Sequence, residues 1–294
     1  MTPAVGLRLS YPASRRDLPA RRLRTTRAGA SRILLTSLAL VLAAPPVLAV
    51  DPLYTMRTFL QADGRGARLA PSTWMEVGDL VTWSLEPAWD HLYLIRGFQL
   101  GTPLVREQGV DVDVDYTMVA EVRGGVVSEQ ERVETRTYHL VRGGDGRWRI
   151  RAPAPPPYVF ASNADDTTMA ALLGPDAPEY MSNSAFVWRM LRDAGWTVPY
   201  ADVATLATAP EFSTERTAEV GDVVLYYDGD QPYHAGIVES DHTVVSVTLN
   251  GGIRRTPFAS FAGELRYRRP IATNVPTPTP EPRPAAHKRH RRTS

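Results

Sequence analysis

With 294 residues, 43% of them hydrophobic and 22% charged, the chain is long enough to bury one core or two small ones. A net charge of +1, with the basic residues gathered at the two ends, leaves no electrostatic footprint for nucleic acid. The absence of cysteine excludes disulfides, thiolate metal sites, lipidation at cysteine and a cysteine nucleophile.

The first 49 residues read as an export signal. Arg15, Arg16, Arg21, Arg22, Arg24 and Arg27 form a basic region, and Ile33-Leu34-Leu35 opens an apolar stretch. That stretch is broken at Pro45-Pro46 and is short for a membrane span. Val47-Leu48-Ala49 then offers the small and apolar residues of a cleavage site. Residues 1–49 are expected to be a signal peptide, with an uncleaved anchor as the alternative. The mature chain is then exported, periplasmic or extracellular, without a membrane span.

Residues 51–151 form the first expected unit. A helix begins at Pro52, with Leu53, Met56, Phe59 and Leu60 on one side. Strands follow: Val110-Asp-Val-Asp-Val-Asp-Tyr116 alternates strictly, and Arg132-Val-Glu-Thr-Arg-Thr-Tyr-His-Leu-Val141 alternates again. A turn at Gly143-Gly144-Asp145-Gly146 leads into Trp148-Arg149-Ile150. The pattern predicts a half-buried antiparallel sheet with one polar face. A single helix and a long meander ending in Asp-Gly-Arg-Trp-Arg-Ile resembles the nuclear transport factor two-like fold, a cone-shaped α+β domain. That resemblance implies a concave face able to hold a small ligand or to support dimerisation. Trp83, Trp89, His91 and Tyr93 would line it, unless they are simply core and edge residues.

Residues 152–177 open with Ala-Pro-Ala-Pro-Pro-Pro and are expected to be a linker. Residues 178–270 form the second expected unit. Phe186, Val187, Met190, Leu191 and Ala194 recur at helical spacing, with Ser182 as N-cap and Gly195 as terminator. Asn183 and Ser184 therefore lie in the first turn. Short strands are expected at Val223-Val224-Leu225-Tyr226-Tyr227, His234-Ala235-Gly236-Ile237-Val238, Thr243-Val244-Val245-Ser246-Val247 and Gly251-Gly252-Ile253-Arg254-Arg255. The result is a helix packed on a small antiparallel meander.

This order resembles the NlpC-type cell-wall peptidases, papain-like α+β enzymes that cut peptidoglycan stem peptides. The family's Cys-Ser-Gly-(Phe/Leu)-Val run is matched by Asn183-Ser184-Ala185-Phe186-Val187, and its Gly-x-x-x-Pro pair by Gly195 and Pro199. Its Pro-Gly-Asp-Leu-Val-Phe-Phe strand is matched by Val220-Gly221-Asp222-Val223-Val224-Leu225-Tyr226, and its His-Val-Gly-Ile-Tyr strand by His234-Ala235-Gly236-Ile237-Val238.

The departures decide the chemistry. A thiolate attacks an amide because it is accessible near neutral pH beside an imidazole at a helix head. Asn183 takes that place, and its amide nitrogen has no free lone pair for a base to activate. The resemblance puts the base at His234 and, in place of an orienting histidine, Ser246. Loss of the nucleophile alone costs on the order of a million-fold in protease turnover.

The expected function is accordingly that of an exported, non-hydrolytic relative holding a peptidoglycan stem peptide or an envelope protein. Asn183, Ser184, Tyr233 and His234 would make the contacts. One alternative is a hydrolase of altered mechanism using Ser184 or Ser182 with His234 as base. Another places the function wholly in the first unit. The bland reading is that Asn183 merely starts a helix and His234 is structural. No cofactor is implied, and no metal site, because His234 and His242 lie eight residues apart across a turn. Residues 271–294 alternate proline with polar residues and end in a basic cluster, His287-Lys288-Arg289-His290-Arg291-Arg292. They read as a disordered tail that either solubilises the chain or touches acidic envelope polymers.

Overall fold

The computed structural model describes residues 51–271 apart from 154, 164–168, 170, 171 and 177–179. The expected signal peptide and all but the first residue of the expected tail lie outside the described residues. No helix among the described residues is long and apolar enough to cross a membrane. The architecture is mixed α+β and mostly strand, with one curled, half-barrel sheet and a second sheet.

Helix α1 (Pro52–Gly64) begins where local chemistry dictates. The Asp51 side chain accepts from the Leu53 N–H and Pro52 occupies the first turn, where its missing N–H is no loss. Met56, Phe59 and Leu60 are buried against the first sheet. A short helix α2 (Met75–Gly78) follows.

The first sheet runs β5-β4-β3-β1-β6, with β2 also on β3. Its strands are β1 (His91–Leu100), β2 (Leu104–Arg106), β3 (Gly109–Arg123), β4 (Val126–Arg142), β5 (Trp148–Ile150) and β6 (Tyr158–Phe160). β3 alternates buried and exposed along its length, as the period of two predicts. The segment read as a linker contributes β6, which pairs parallel with β1 through Tyr93 opposite Tyr158.

The remaining elements are α3 (Asn183–Asp193), α4 (Val203–Leu206), β7 (Phe212–Glu215), β8 (Val223–Asp228), β9 (Gln231–Val238), β10 (Thr243–Thr248), β11 (Gly252–Pro257) and β12 (Glu264–Pro270). The second sheet runs β11-β10-β9-β8-β12-β7. The expected helix and four-strand meander are present, with β12 and β7 added on the far side of β8. Helix α3 packs on β9 and β10. Ser182 caps it by accepting from the Ala185 N–H at 3.3 Å, and Gly195 just beyond it has φ +90°, where a side chain would be strained.

One hydrophobic core joins the two sheets. Leu92, Leu94, Ala120 and Val122 from the first pack with Phe186 and Val187 of α3 and with Leu225, Ala235 and Val245 from the second. The chain also crosses between them as a strap, residues 84–90. β9 pairs with β10 only at Val244–Val238 and Val245–Ile237. Past that point the strap takes the free edge of β10. Pro87 bridges Thr248 in antiparallel fashion, and the Leu249 N–H donates to the Glu86 carbonyl at 2.8 Å.

Candidate functional site

The site positions suggested by the sequence converge at the head of α3. Asn183 is the first residue of that helix and is fully buried. Its Nδ2 donates to the carbonyl of Tyr233 at 3.5 Å, which brings the amide beside the strand that carries His234. Its Oδ1 has no hydrogen-bond partner within the protein.

His234 is also fully buried, and neither ring nitrogen has a partner. Its surroundings are aromatic: the Phe261 ring lies 3.8 Å away centroid to centroid and Tyr226 at 5.4 Å. Burial alone lowers its pKa to about 3, because nothing beside it favours the charged form. The imidazole is therefore neutral at physiological pH and, at that pKa, a weak base.

Ser246 does not make the orienting bond to His234 expected of it, for its Oγ also lacks a partner. The reason is register. The two pairs that β9 and β10 form place Ser246 opposite Gly236, with His234 two residues further along. Gly236 keeps the strands close: a Cβ there would lie 2.8 Å from the Val245 carbonyl oxygen and 3.0 Å from the Ser246 Cβ.

The candidate replacement nucleophiles are engaged elsewhere. Ser182 is used as the helix cap, and Ser184 Oγ lies 2.9 Å from the Tyr200 hydroxyl. Both are fully buried, and neither is hydrogen-bonded to His234. Among the described residues, no group of three or more His, Asp or Glu could hold a metal ion.

An accessible cavity of about 230 Å³ opens next to this buried cluster. Trp83, Leu85, Trp89, Tyr233 and Phe261 line it. Phe261 faces the cavity and also stacks on His234, so it covers the imidazole. The Tyr233 hydroxyl donates to the Ala262 carbonyl at 2.6 Å, tying β9 to the loop that carries Phe261. Tyr233 is thus the one expected contact residue that borders open space, whereas Asn183, Ser184 and His234 do not.

The four residues assigned to a concave face divide between two places. Trp83 and Trp89 line the cavity just described, whereas His91 and Tyr93 border a space of only about 30 Å³. The interior of the curled sheet is filled by tyrosines. Tyr116 stacks on Tyr158 at 3.7 Å and Tyr158 on Tyr93 at 5.0 Å, while the Tyr116 and Tyr138 hydroxyls meet at 2.6 Å.

Sequence reasoning missed Glu86 altogether. Its carboxylate accepts from the indoles of Trp83 at 2.7 Å and Trp89 at 2.6 Å, and from Arg68 at 2.8 Å. Arg68 is wholly buried, with Asp63 3.6 Å away on another side. Two tryptophans placed three residues either side of a glutamate, ahead of a proline, were the available signal. Compared with known proteins, the chain matches no family model and no curated relative.

Proposed function

We propose that this is an exported cell-envelope protein that binds a wall peptide or an envelope partner without cutting it. On this reading the stretch from α3 to β11 is a papain-like unit of the NlpC type that has lost its chemistry. The curled sheet with α1 is a nuclear transport factor two-like unit whose interior is packed rather than open. The observation that carries the non-hydrolytic reading is the joint burial of Asn183, His234 and Ser246. Their side chains have no route to substrate and share no hydrogen bond. Hydrolysis through Ser182 or Ser184 finds no support, since each hydroxyl is committed to other partners.

Binding then belongs to the open aromatic cavity at the mouth of the old site. The half-buried Trp83 indole, with Tyr233 in the same lining, suits the sugar faces and apolar side chains of wall fragments. Calorimetric titration of the chain with soluble muropeptides tests this. Binding is expected, weakened about tenfold or more by Trp83→Ala, as for an aromatic anchor in a small interface. Absence of heat with any wall fragment, or an affinity indifferent to that substitution, would remove the binding reading.

A further inference from the structure

The strap is held in the way a binding cleft holds a peptide. Its backbone groups are satisfied by residues far along the chain. The Ser84 carbonyl accepts from Asn250 Nδ2 at 2.7 Å, and the Glu86 N–H donates to Asn250 Oδ1 at 3.1 Å. The Glu86 carbonyl accepts from the Leu249 N–H at 2.8 Å and the Ala88 carbonyl from the Asn183 N–H at 2.7 Å. Tyr180 donates its hydroxyl to the Trp89 carbonyl at 2.9 Å. Residues 86–90 are buried along their whole length.

The contact between Ala88 and Asn183 is the informative one. In acyl-transfer sites the backbone N–H of the nucleophilic residue commonly donates to the carbonyl oxygen under attack. Asn183 occupies that position, if the reading of α3 as a papain-like helix is right, and its N–H already holds a carbonyl of this chain. The peptide bond between Ala88 and Trp89 thus stands where a scissile bond would lie, opposite a side chain that cannot attack it. The Asn183 Oδ1 and both nitrogens of His234, the residue after the Tyr233 carbonyl that Asn183 contacts, are buried and unpartnered.

We infer that the cleft at the head of α3 is a peptide-backbone binding site and that residues 84–90 are its resident ligand, seated as an internal pseudosubstrate. The occupant is fixed from behind: Glu86 anchors the strap to Arg68 and to the Trp83 indole, and takes a third bond from the strap's own Trp89. No second peptide can take the same register while the strap is in place.

Backbone substitution isolates the decisive contact. Asn183→Ala keeps the N–H, whereas Asn183→Pro removes it at a first helical position where proline is tolerated. Ser182, with φ −71° and ψ 165°, already has the extended backbone that a residue before proline adopts. Hydrogen exchange of the full chain, followed by mass spectrometry, supplies the readout. Relative to the alanine variant, the proline variant is expected to exchange Leu249 and residues 85–90 about tenfold faster or more, the effect of a buried carbonyl losing its donor. β3 and β4 should be unchanged. Equal exchange in the two variants, or a uniform loosening that includes β3 and β4, would overturn the inference. Should the proline variant not fold, Tyr180→Phe removes the donor to the next carbonyl of the strap, that of Trp89, and unchanged exchange across residues 85–90 in it would be equally fatal. Neither readout involves cleavage. A failure here therefore leaves the non-hydrolytic reading intact, while cleavage of wall peptides would remove that reading without touching this result.

Discussion

Replacing Arg68 with alanine is expected to destabilise the fold by about 3–5 kcal/mol, the cost of breaking a buried charge cluster by removing one member. Arg68 is fully buried between Glu86 and Asp63, and its guanidinium lies 5.0 Å from the Trp89 ring and 5.7 Å from that of Phe59. Without it two carboxyl groups stay buried without the countercharge they share. Glu86 retains the two indole donors and Asp63 the Tyr158 N–H at 3.1 Å, but neither contact replaces a countercharge. For a folded region of this size the loss corresponds to a fall of roughly 6–20 °C in Tm. A thermal scan showing Tm within about 2 °C of the parent would mean that the cluster contributes far less than buried ion networks do. Because Glu86 sits in the strap, the same variant should also loosen the join between the sheets.

His234 and Asp63 are expected to impose opposite pH dependences on stability. Burial holds His234 at about 3 in the fold against 6.5 when exposed. Between those values the unfolded chain binds a proton that the fold refuses, so this contribution to stability is present at neutral pH and is lost as pH falls. The full window is worth about 4–5 kcal/mol. Asp63 runs the other way. Burial raises it to about 6 from 3.8, against the pull of Arg68. Between those values the fold keeps a proton that the unfolded chain has released, so stability from this group declines as pH rises, by about 3 kcal/mol in all. The two slopes offset each other from about pH 4 to 6. Denaturant titrations across that range should show His234→Leu losing stability as pH rises, and Asp63→Asn losing it as pH falls, each more steeply than the parent. A His234→Leu profile parallel to the parent's would show that the imidazole is not buried in its neutral form.

The sequence carried the parts of this fold whose causes are local. Asp51 with Pro52, and Ser182 with Gly195, mark helices because caps act within a few residues. β3 is legible because one of its faces is buried and the other wet. β4 is harder to read over its first half, where both faces are largely exposed and the charges carry little periodicity. β12 escaped notice for a related reason: Glu-Leu-Arg-Tyr-Arg-Arg-Pro reads as polar, yet it is stitched between β8 and β7 by backbone pairing.

The site divides along the same line. Placing Asn183 in the first turn of a helix needed only Ser182 and the apolar spacing that follows. Its neighbour across the cleft was also legible, since His-Ala-Gly-Ile-Val reads as a strand. What covers them was not. Phe261 arrives from a loop well beyond β10, and the strap arrives from the first sheet, its Glu86 bonded to a residue 164 positions away. Burial of a polar side chain by a distant segment leaves no periodic trace in either. For the same reason the strap's own sequence, Ser-Leu-Glu-Pro-Ala-Trp-Asp, gives no sign that its backbone is read by Asn250, Leu249 and Asn183.

The most direct test of the account is to incubate the purified chain with intact peptidoglycan and with isolated stem peptides and to assay for new amino termini. The account predicts no release above that of a His234→Ala control, with Asn183 and its imidazole neighbour sealed beneath Phe261 and the strap. Release that is clearly above background and is abolished by His234→Ala would contradict it.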